Sequence, residues 1–315
     1  MIQVDNLTKK YGQHLALDSV NFTVGEGEIL GFLGPNGAGK STTMNILTGY
    51  ISATDGHALI NGIDILEQPE EAKKMIGYLP ESPPLYGDMT VDEYLDFVSD
   101  IKRVTGTDRK KNRERIMDLV RIGDVRGRLI KNLSKGYKQR VGLAQALIGN
   151  PKVLIMDEPT VGLDPKQIIE IRNLIKDLGK DHTVILSSHI LPEVSAVCER
   201  VIIINKGRIV ASDTPENLSR GLGDSSKLNL RIAGEENLIL KAIQEIDGIN
   251  NLESLGVREP GTIDLIVEAD PDVDIRRPLF HAMSKASCPI LMMKSLDMTL
   301  EDIFLQVTTQ EEEVR

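Results

Sequence analysis

The residues best suited to chemistry lie in one glycine-rich stretch, Gly34 to Ser41, which reads GPNGAGKS. It fits the pattern of a glycine, four residues and then Gly-Lys-Ser that binds phosphate groups. Gly34, Gly37 and Gly39 let the backbone turn tightly, so several N–H groups can converge on phosphate oxygens. We expect Lys40 to reach the outer phosphates and the Ser41 hydroxyl to bind Mg²⁺.

The segments on either side of this loop predict the elements that position it. Ile29 to Leu33 is a short apolar run that predicts a buried strand, and helical spacing of Met44 and Leu47 follows the loop. A helix that begins at about Lys40 directs its positive end toward the same phosphates. The pattern alone arises by chance in about one chain in a hundred of this length. The strand and helix context makes chance a poor explanation, and we predict a nucleotide site.

A second candidate is the segment VLIMDEP, in which four apolar residues lead to Asp157 and Glu158. A carboxylate at the end of a strand can hold Mg²⁺, and a second one beside it can orient or deprotonate an attacking water. Alone, this pair is also a common start of a helix. Its place in the same predicted sheet as the phosphate loop favours the catalytic interpretation.

Composition limits the class of protein. The chain has 315 residues, of which 41% are hydrophobic and 27% charged, enough for one large domain or two ordinary ones. A net charge of -10 argues against nucleic acid as a partner. Cys198 and Cys288 lie far apart, which favours reduced, buried thiols over a disulfide or a metal site. We find no signal peptide and no apolar run near the roughly 20 residues that span a bilayer, so we expect a cytoplasmic protein.

The order of apolar patterns predicts a first domain of α/β class over residues 1–220. Alternating segments at the start predict antiparallel strands, and GHALINGIDI predicts an edge hairpin. Short apolar strands separated by helices predict a mostly parallel sheet covered on both faces. Residues 82–150 read as a helical subdomain, in which Thr90 and Glu93 form a capping box.

The rest of the chain predicts a second, smaller domain. The Gly- and Ser-rich segment 219–226 is predicted to be a linker. Over residues 227–315 the order strand, helix, strand, strand, helix, strand predicts a small α+β domain of ferredoxin-like type. A last helix is predicted from Thr299, with an apolar stripe, and the acidic residues 311–313 are predicted to be solvated. The domain's role stays open between a brace that holds two chains together and a solvated appendage.

The segment NLSKGYKQRVGLAQ adds a further pattern, in which Ser134 is placed to cap a helix. With MDEPTVGLDP after it and then His189 in SSHI, the chain resembles the ATP-binding cassette (ABC) family over residues 1 to about 220. This resemblance implies an ABC-type P-loop NTPase with a mostly parallel core sheet, an antiparallel β subdomain and a helical subdomain. The stretches IGYLPE, LTGY and LEDIFLQVT are similar to ATPases of the ABC-2 exporter group, which includes gliding-motility, sodium and multidrug systems.

The resemblance also implies roles for individual residues. Tyr11 stacks on adenine, Glu158 and His189 act in catalysis, and Asp164 communicates across a dimer interface. Those implied to bind the phosphates are Gly34, Pro35, Asn36, Gly37, Ala38, Gly39, Lys40, Ser41 and Thr42. Those implied to form a signature loop, which contacts ATP held by the opposite subunit, are Ser134, Lys135, Gly136 and Tyr137. Those implied to serve the metal are Ser41, Glu81 and Asp157.

Two positions depart from the family's usual pattern. Glu81 stands where the family usually has glutamine; a carboxylate is still a hard oxygen ligand, but it adds charge near the γ-phosphate. The signature reads Leu-Ser-Lys-Gly-Tyr where Leu-Ser-Gly-Gly-Gln is commoner. The serine and the second glycine are retained, so we expect the phosphate contact to be retained.

One chain has one phosphate loop and one signature loop, so the resemblance implies that two copies sandwich two ATP molecules with Mg²⁺. It also implies a separate multi-span permease, which would hold the ATPase at the inner face of the cell membrane and export an unidentified cargo. Two alternatives stay open: a soluble ABC ATPase that acts on a protein assembly, and a nucleotide sensor without catalysis. The presence of Lys40, Asp157, Glu158 and His189 together argues against the sensor.

Overall fold

The computed structural model describes residues 1–105, 108–221, 226–270 and 273–295. It divides into two compact units, Met1–Pro215 and Glu216–Arg315, close to the predicted boundary at 220. The strands of the first unit are β1 Ile2–Tyr11, β2 His14–Val24, β3 Ile29–Leu33, β4 Asp55–Ile60, β5 Ile63–Asp64, β6 Ile76–Leu79, β7 Val153–Asp157, β8 Thr183–Ser188, β9 Arg200–Asn205 and β10 Arg208–Asp213. Its helices are α1 Lys40–Leu47, α2 Pro69–Lys74, α3 Val91–Ile101, α4 Asp108–Leu119, α5 Lys135–Leu147, α6 Pro165–Leu178 and α7 Leu191–Ser195.

A six-stranded sheet in the order β10-β9-β3-β8-β7-β6 forms the centre of the first unit. All neighbouring strands pair in parallel except β10, which forms an antiparallel hairpin with β9. Every residue of β3, β7 and β8 is buried, which agrees with the apolar runs that predicted these strands. Because the strands are parallel, the loops that follow β3, β6, β7 and β8 leave the sheet at the same edge.

A second, antiparallel sheet in the order β2-β1-β4-β5 packs against the first through a shared core. The core includes Phe22 on β2 and Phe32 on β3, whose ring centroids lie 5.3 Å apart. Met44 and Leu47 of α1 are fully buried in the same core. The predicted edge hairpin is confirmed as the pair β4–β5. The helix that begins at the phosphate loop is therefore held by both sheets.

The region between β6 and β7 is helical, as predicted: its described residues form α3, α4 and α5, with two short 3-10 helices, Gly123–Val125 and Ile130–Asn132, between α4 and α5. The Thr90 side chain accepts a hydrogen bond from the Glu93 N–H, and the Glu93 carboxylate accepts one from the Thr90 N–H, as the capping box predicts. At the far end of α5, Lys102 donates to carbonyl oxygens that include those of Ala146 and Ile148, at 3.1 and 2.8 Å. A lysine there stabilises the negative end of α5 and ties it to α3.

The second unit contains α8 Pro215–Gly221 at the boundary, then β11 Ser226–Ala233, α9 Glu236–Gln244, β12 Ile249–Gly256, β13 Thr262–Ala269, α10 Arg276–Lys285 and β14 Ile290–Ser295. Its strands are all antiparallel, in the order β12-β13-β11-β14, and α9 and α10 contribute side chains to the core that covers this sheet. This confirms the predicted ferredoxin-like order. Cys288 lies in this core and Cys198 in the first unit; both are free and buried, as predicted.

The predicted linker 219–226 is wrong at both ends. Residues 219–221 complete α8, because Pro215 and Glu216 provide a proline and an acidic residue for its first turn, and Ser226 already begins β11. The predicted last helix from Thr299 and the acidic residues 311–313 lie outside the described residues. Among the helices that the structure describes, none is long and apolar enough to cross a bilayer.

We predict that Gly31→Ala lowers the free energy of unfolding by about 1–3 kcal/mol, because it overpacks the contact between β3 and α7. A Cβ at Gly31 would lie 2.1 Å from Val194 Cγ1 and 2.9 Å from Cys198 Sγ. Urea unfolding followed by circular dichroism measures the change. Gly127→Ala is the matched control, because a Cβ there meets nothing within 4 Å. Equal stabilities for the two variants would disprove the packing argument.

Candidate active site

A cavity of about 500 Å³ opens at the edge of the parallel sheet where β3, β6, β7 and β8 end. Residues assigned from the sequence that line it are Tyr11, Asn36, Gly37, Gly39, Lys40, Ser41, Thr42, Glu81, Glu158 and His189. The lining also includes residues not predicted from the sequence, namely His14, Ala16 and Val161. A cavity of this size suits a small ligand such as a nucleotide.

The phosphate loop leads directly into α1, whose first turn contains no acidic residue. The helix cap is Gly39, with φ 111° and no side-chain cap, so the first N–H groups of α1 are free for an anion. A Cβ at Gly39 would lie 2.9 Å from the Ala16 carbonyl oxygen. Glycine is therefore required there by conformation and by space.

Lys40 is 5% exposed and is held in place by the loop it belongs to. Its Nζ donates to the carbonyl oxygens of Gly34 and Pro35, at 2.8 and 3.2 Å. The same Nζ lies 3.6 Å from Glu158 Oε1, and both side chains are almost fully buried. A buried ammonium with one carboxylate neighbour is well suited to bind phosphate oxygens at this edge.

Glu158 adopts φ 47°, a left-handed conformation that costs a residue with a Cβ about 1–2 kcal/mol. Its Oε2 lies 2.9 Å from His189 Nδ1, and a carboxylate can only accept, so this nitrogen carries the proton when Glu158 is ionised. The strain sits at the residue predicted to be the base, as is common at active sites. The conformation aims the carboxylate between Lys40 and His189.

Ser187 on β8 is a site residue that the sequence did not reveal. It pairs in register with Asp157 on β7, and its hydroxyl donates to Asp157 Oδ1 at 2.5 Å. The same hydroxyl oxygen accepts the Glu158 N–H at 3.0 Å. Ser187 therefore positions both predicted carboxylates. Its place two residues before His189, at the end of an apolar strand, was the signal that could have identified it.

Tyr78 on β6 joins three elements around the site. Its hydroxyl donates to Asn45 Oδ1 on α1 at 3.2 Å, and its carbonyl accepts from Gln145 Nε2 on α5 at 2.7 Å. Burial, with smaller contributions from Asp157 and Tyr50, raises the pKa of Tyr78 to about 12. The hydroxyl stays protonated at neutral pH and keeps its bond to Asn45. The helix after the phosphate loop is thus tied to the strand that leads to Glu81.

The oxygen ligands at the site fit a metal shared with phosphates. The described part of the chain contains no group of three or more His, Cys, Asp or Glu side chains that could hold a metal alone. Mg²⁺ is usually bound by one or two protein oxygens together with substrate phosphates and water. Ser41 and Glu81 line the cavity, while Asp157, which is 4% exposed, is not part of the lining and accepts a hydrogen bond from Ser187. This set of hard oxygens suits Mg²⁺.

The predicted signature loop lies elsewhere, and none of its residues lines the nucleotide cavity. Ser134 caps α5 by accepting the Tyr137 N–H at 3.4 Å, and the Tyr137 hydroxyl donates to Asp124 at 2.7 Å. Asp164 caps α6 by accepting the Gln167 N–H at 2.9 Å. A single chain therefore leaves the signature residues apart from its own phosphate loop.

Glu81 also lines a second cavity, which we call the side groove, of about 370 Å³. The residues of the side groove are Glu81, Ser82, Pro83, Leu85, Gly87, Ile130, Lys131, Lys135, Lys138 and Gln139. It lies where β6 passes into the helical region and includes the first turn of α5. Glu81 is shared by the linings of the nucleotide cavity and the side groove.

We predict that Lys40→Ala weakens Mg-ATP binding by about tenfold to a hundredfold, because it removes a charged hydrogen-bond donor. Isothermal titration with Mg-ATP measures the loss. Lys176→Ala, an exposed position on α6, is the control and should bind as the unchanged protein does. Unchanged affinity in Lys40→Ala would rule out the assigned phosphate contact.

Comparison with protein families and curated sequences gives a consistent result. A family model described as ABC transporter matches residues 17–161. The linearmycin resistance ATP-binding protein LnrL of Bacillus subtilis is 34% identical over 253 residues, which cover 80% of this chain and 81% of that protein. The uncharacterized ABC transporter ATP-binding protein YhcH of the same species is 33% identical over 318 residues, 99% of this chain and 97% of that protein.

Solved structures agree with the fold of the first unit. An ATP-binding subunit of an ABC transporter superposes with a TM-score of 0.65 at 29% identity, covering 71% of this chain and 93% of that chain. The dimeric, post-hydrolysis cassette MJ0796 bound to ADP and Pi gives a TM-score of 0.62 at 28% identity, covering 68% of this chain and 98% of that chain.

Proposed function

Because this chain belongs to the ATP-binding proteins of the ABC transporter family, we propose that it powers an exporter through a separate membrane permease. The chain is an ATPase subunit of exporter type, and cassettes of this family work as dimers. The main support for the proposal is that Lys40, Glu158 and His189 line one cavity, where Glu158 contacts both of the other side chains. We propose Mg²⁺ as the metal that binds with ATP, and the permease as the membrane partner.

Different residues of the cavity bind the phosphates, the metal and the adenine. The free N–H groups at the start of α1 and the Lys40 ammonium hold the phosphates. Bound Mg²⁺ would neutralise phosphate charge, with Ser41, Asp157 and Glu81 as the oxygen ligands. Tyr11, 49% exposed at the rim, offers a ring face to the adenine. These contacts orient the γ-phosphate toward Glu158.

Glu158 accepts the proton of the attacking water. As the water oxygen bonds to the γ-phosphorus, the bond from that phosphorus to the bridging oxygen of the β-phosphate breaks. ADP and inorganic phosphate are the products. His189 and Ser187 hold Glu158 through its carboxylate and its backbone N–H, so its orientation is set before substrate binds.

The position of the signature loop accounts for the need for two chains. Ser134 and Gly136, at the start of α5, lie outside the nucleotide cavity of their own chain, as does Asp164 at the start of α6. We propose that the positive end of α5 completes the nucleotide site of a second copy. ATP would then close the dimer and hydrolysis would open it, which gives a mechanical stroke.

We predict that Glu158→Gln binds ATP but hydrolyses it at least about a hundredfold more slowly, because the amide cannot accept the proton. The dimer should then persist with Mg-ATP. Light scattering after size exclusion measures the mass, and phosphate release measures the rate. Glu26→Gln, an exposed position, is the control. Hydrolysis by Glu158→Gln at the unchanged rate would assign the base to another residue, while slow hydrolysis without a dimer would refute the sandwich.

The side groove is the surface we propose for the permease. It adjoins the nucleotide cavity through Glu81, so a segment bound there can respond to the state of the nucleotide. The permease would also hold the ATPase at the inner face of the cell membrane. The alternative, an ATPase that acts on a protein assembly, requires a partner without membrane spans. Co-purification of the tagged chain from detergent-solubilised membranes distinguishes the two.

We predict that Glu81→Gln keeps both ATP turnover and transport, because an amide oxygen can replace the carboxylate as a ligand. Glu81→Ala should keep ATP binding but lose the stimulation of ATPase activity by the membrane partner. Vesicles that contain the complex allow turnover and transport to be measured together. Identical coupling in all three forms would show that Glu81 does not connect the two cavities.

A further inference from the structure

A buried carboxyl group that the proposed mechanism does not use lies close to the active-site residues along the chain. Glu193 is the third residue of α7, the helix that begins two residues after His189, and it is 5% exposed. Its carboxylate accepts a hydrogen bond from the hydroxyl of Thr160, which is equally buried and lies two residues after Glu158. This pair therefore joins the segment after Glu158 to the helix after His189.

Neither side chain of the pair is placed to touch a nucleotide. The lining of the nucleotide cavity includes Val161 and His189, but neither Thr160 nor Glu193. A carboxyl group and a hydroxyl that are removed from water need hydrogen-bond partners, and a bond between them is stronger in a protein interior than in water. The Thr160–Glu193 bond thus holds two chain segments together without a contact to the substrate.

The backbone of Glu158 explains why the segment after it must be held. Its φ of 47° lies outside the extended region that a residue before proline favours, and Pro159 is next in the chain. Such a conformation persists only where the surrounding structure imposes it. Gln139, which is buried on α5, donates from Nε2 to the Pro159 carbonyl oxygen at 3.0 Å. Pro159 is thus anchored to α5, and Thr160 is anchored to α7.

The contacts of these residues form a closed ring. His189 Nδ1 lies 2.9 Å from Glu158 Oε2 at the cavity, and the Thr160–Glu193 bond joins the same two segments outside the cavity lining. Because the chain from Glu158 to Thr160 and the chain from His189 to Glu193 are both short, the second contact restrains the first. Loss of the Thr160–Glu193 bond would let the Glu158 backbone relax and would move its carboxylate away from His189.

We propose that Thr160 and Glu193 are positioning residues for ATP hydrolysis. Their hydrogen bond maintains the left-handed backbone of Glu158 and keeps His189 beside its carboxylate, so that the carboxylate is aligned with the attacking water. They act through Glu158 and contact neither ATP nor the water. The inference rests on the proposed role of Glu158 as the base, and it adds two residues that keep this base in place.

The first test removes the hydroxyl of Thr160 and keeps the shape of the side chain. Thr160→Val should lower kcat by about tenfold to a hundredfold, because a small displacement of a catalytic group has an effect of this size. Phosphate release at saturating Mg-ATP measures kcat, and isothermal titration should show an unchanged ATP dissociation constant. Unchanged kcat, or a parallel loss of ATP affinity that indicates general damage, overturns the proposal.

A conservative variant and a matched control locate the effect. Thr160→Ser keeps the hydroxyl donor, so its kcat should stay within about threefold of that of the unchanged protein. Thr262→Val is the control, because Thr262 is also buried and its hydroxyl also donates, to the Glu259 carbonyl oxygen in the second unit. Its kcat should be unchanged. A loss in Thr160→Ser as large as that in Thr160→Val overturns the proposal.

A double variant separates positioning from stability. Thr160→Val leaves the Glu193 carboxylate without this donor, and Glu193→Met leaves the Thr160 hydroxyl without this acceptor, so each should lower the urea midpoint of unfolding. Replacement of both partners by apolar groups should return the midpoint close to that of the unchanged protein. The kcat of the double variant should stay as low as that of Thr160→Val. Recovery of kcat together with stability would assign the pair to packing alone and overturn the proposal.

The last comparison tests whether the pair acts through Glu158. The base is absent in Glu158→Gln, so the addition of Thr160→Val should change the residual single-turnover rate by less than about twofold. A further loss as large as the one that Thr160→Val causes alone would show that the pair acts on another step, and it would overturn the proposal.

Failure of the proposed function gives a different result. If Glu158→Gln hydrolyses ATP at the unchanged rate, Glu158 is not the base, and the positioning role of Thr160 and Glu193 fails with it. If Glu158→Gln is slow while Thr160→Val and Glu193→Met are as fast as the unchanged protein, the base stands and only the positioning role is wrong.

Discussion

The parallel pairing of the central sheet is the constraint on which the rest of the first unit depends. Backbone hydrogen bonds fix β3, β7 and β8 in one register, which sets Asp157 beside Ser187 and Leu33 beside Ser188. The phosphate loop, the acidic pair and the histidine are distant along the chain, yet each lies at the end of a strand of this sheet. A slip of one residue in either pairing would move a whole set of side chains from the edge into the core.

The site concentrates buried charge, which a fold tolerates only when each group has partners. Lys40 is satisfied by two carbonyl oxygens and Glu158, while Glu158 is held by Lys40 and His189. Such an arrangement contributes little net stability, because desolvation opposes the attraction. What it provides is orientation. The ammonium and the carboxylate stand in place before any phosphate arrives.

Features set by local sequence were predictable, and features set by distant contacts were not. The strand Ile29–Leu33 and the caps at Thr90 and Ser134 follow from neighbouring residues. The sequence did not reveal α2, because a six-residue helix with one buried side chain has no readable period. It did not reveal Ser187 as a partner of Asp157, since that contact depends on which strands pair. The side groove likewise arises only where residues near 83 and 130 come together.

The presence of Glu81 in two cavities has a thermodynamic consequence. If one side chain contributes to binding in both the nucleotide cavity and the side groove, occupancy of either changes the affinity of the other by the same factor. A partner that binds more tightly when nucleotide is present must in turn strengthen nucleotide binding. Under that condition, a membrane partner bound in the side groove would be an effector of the ATPase as well as the recipient of its mechanical work.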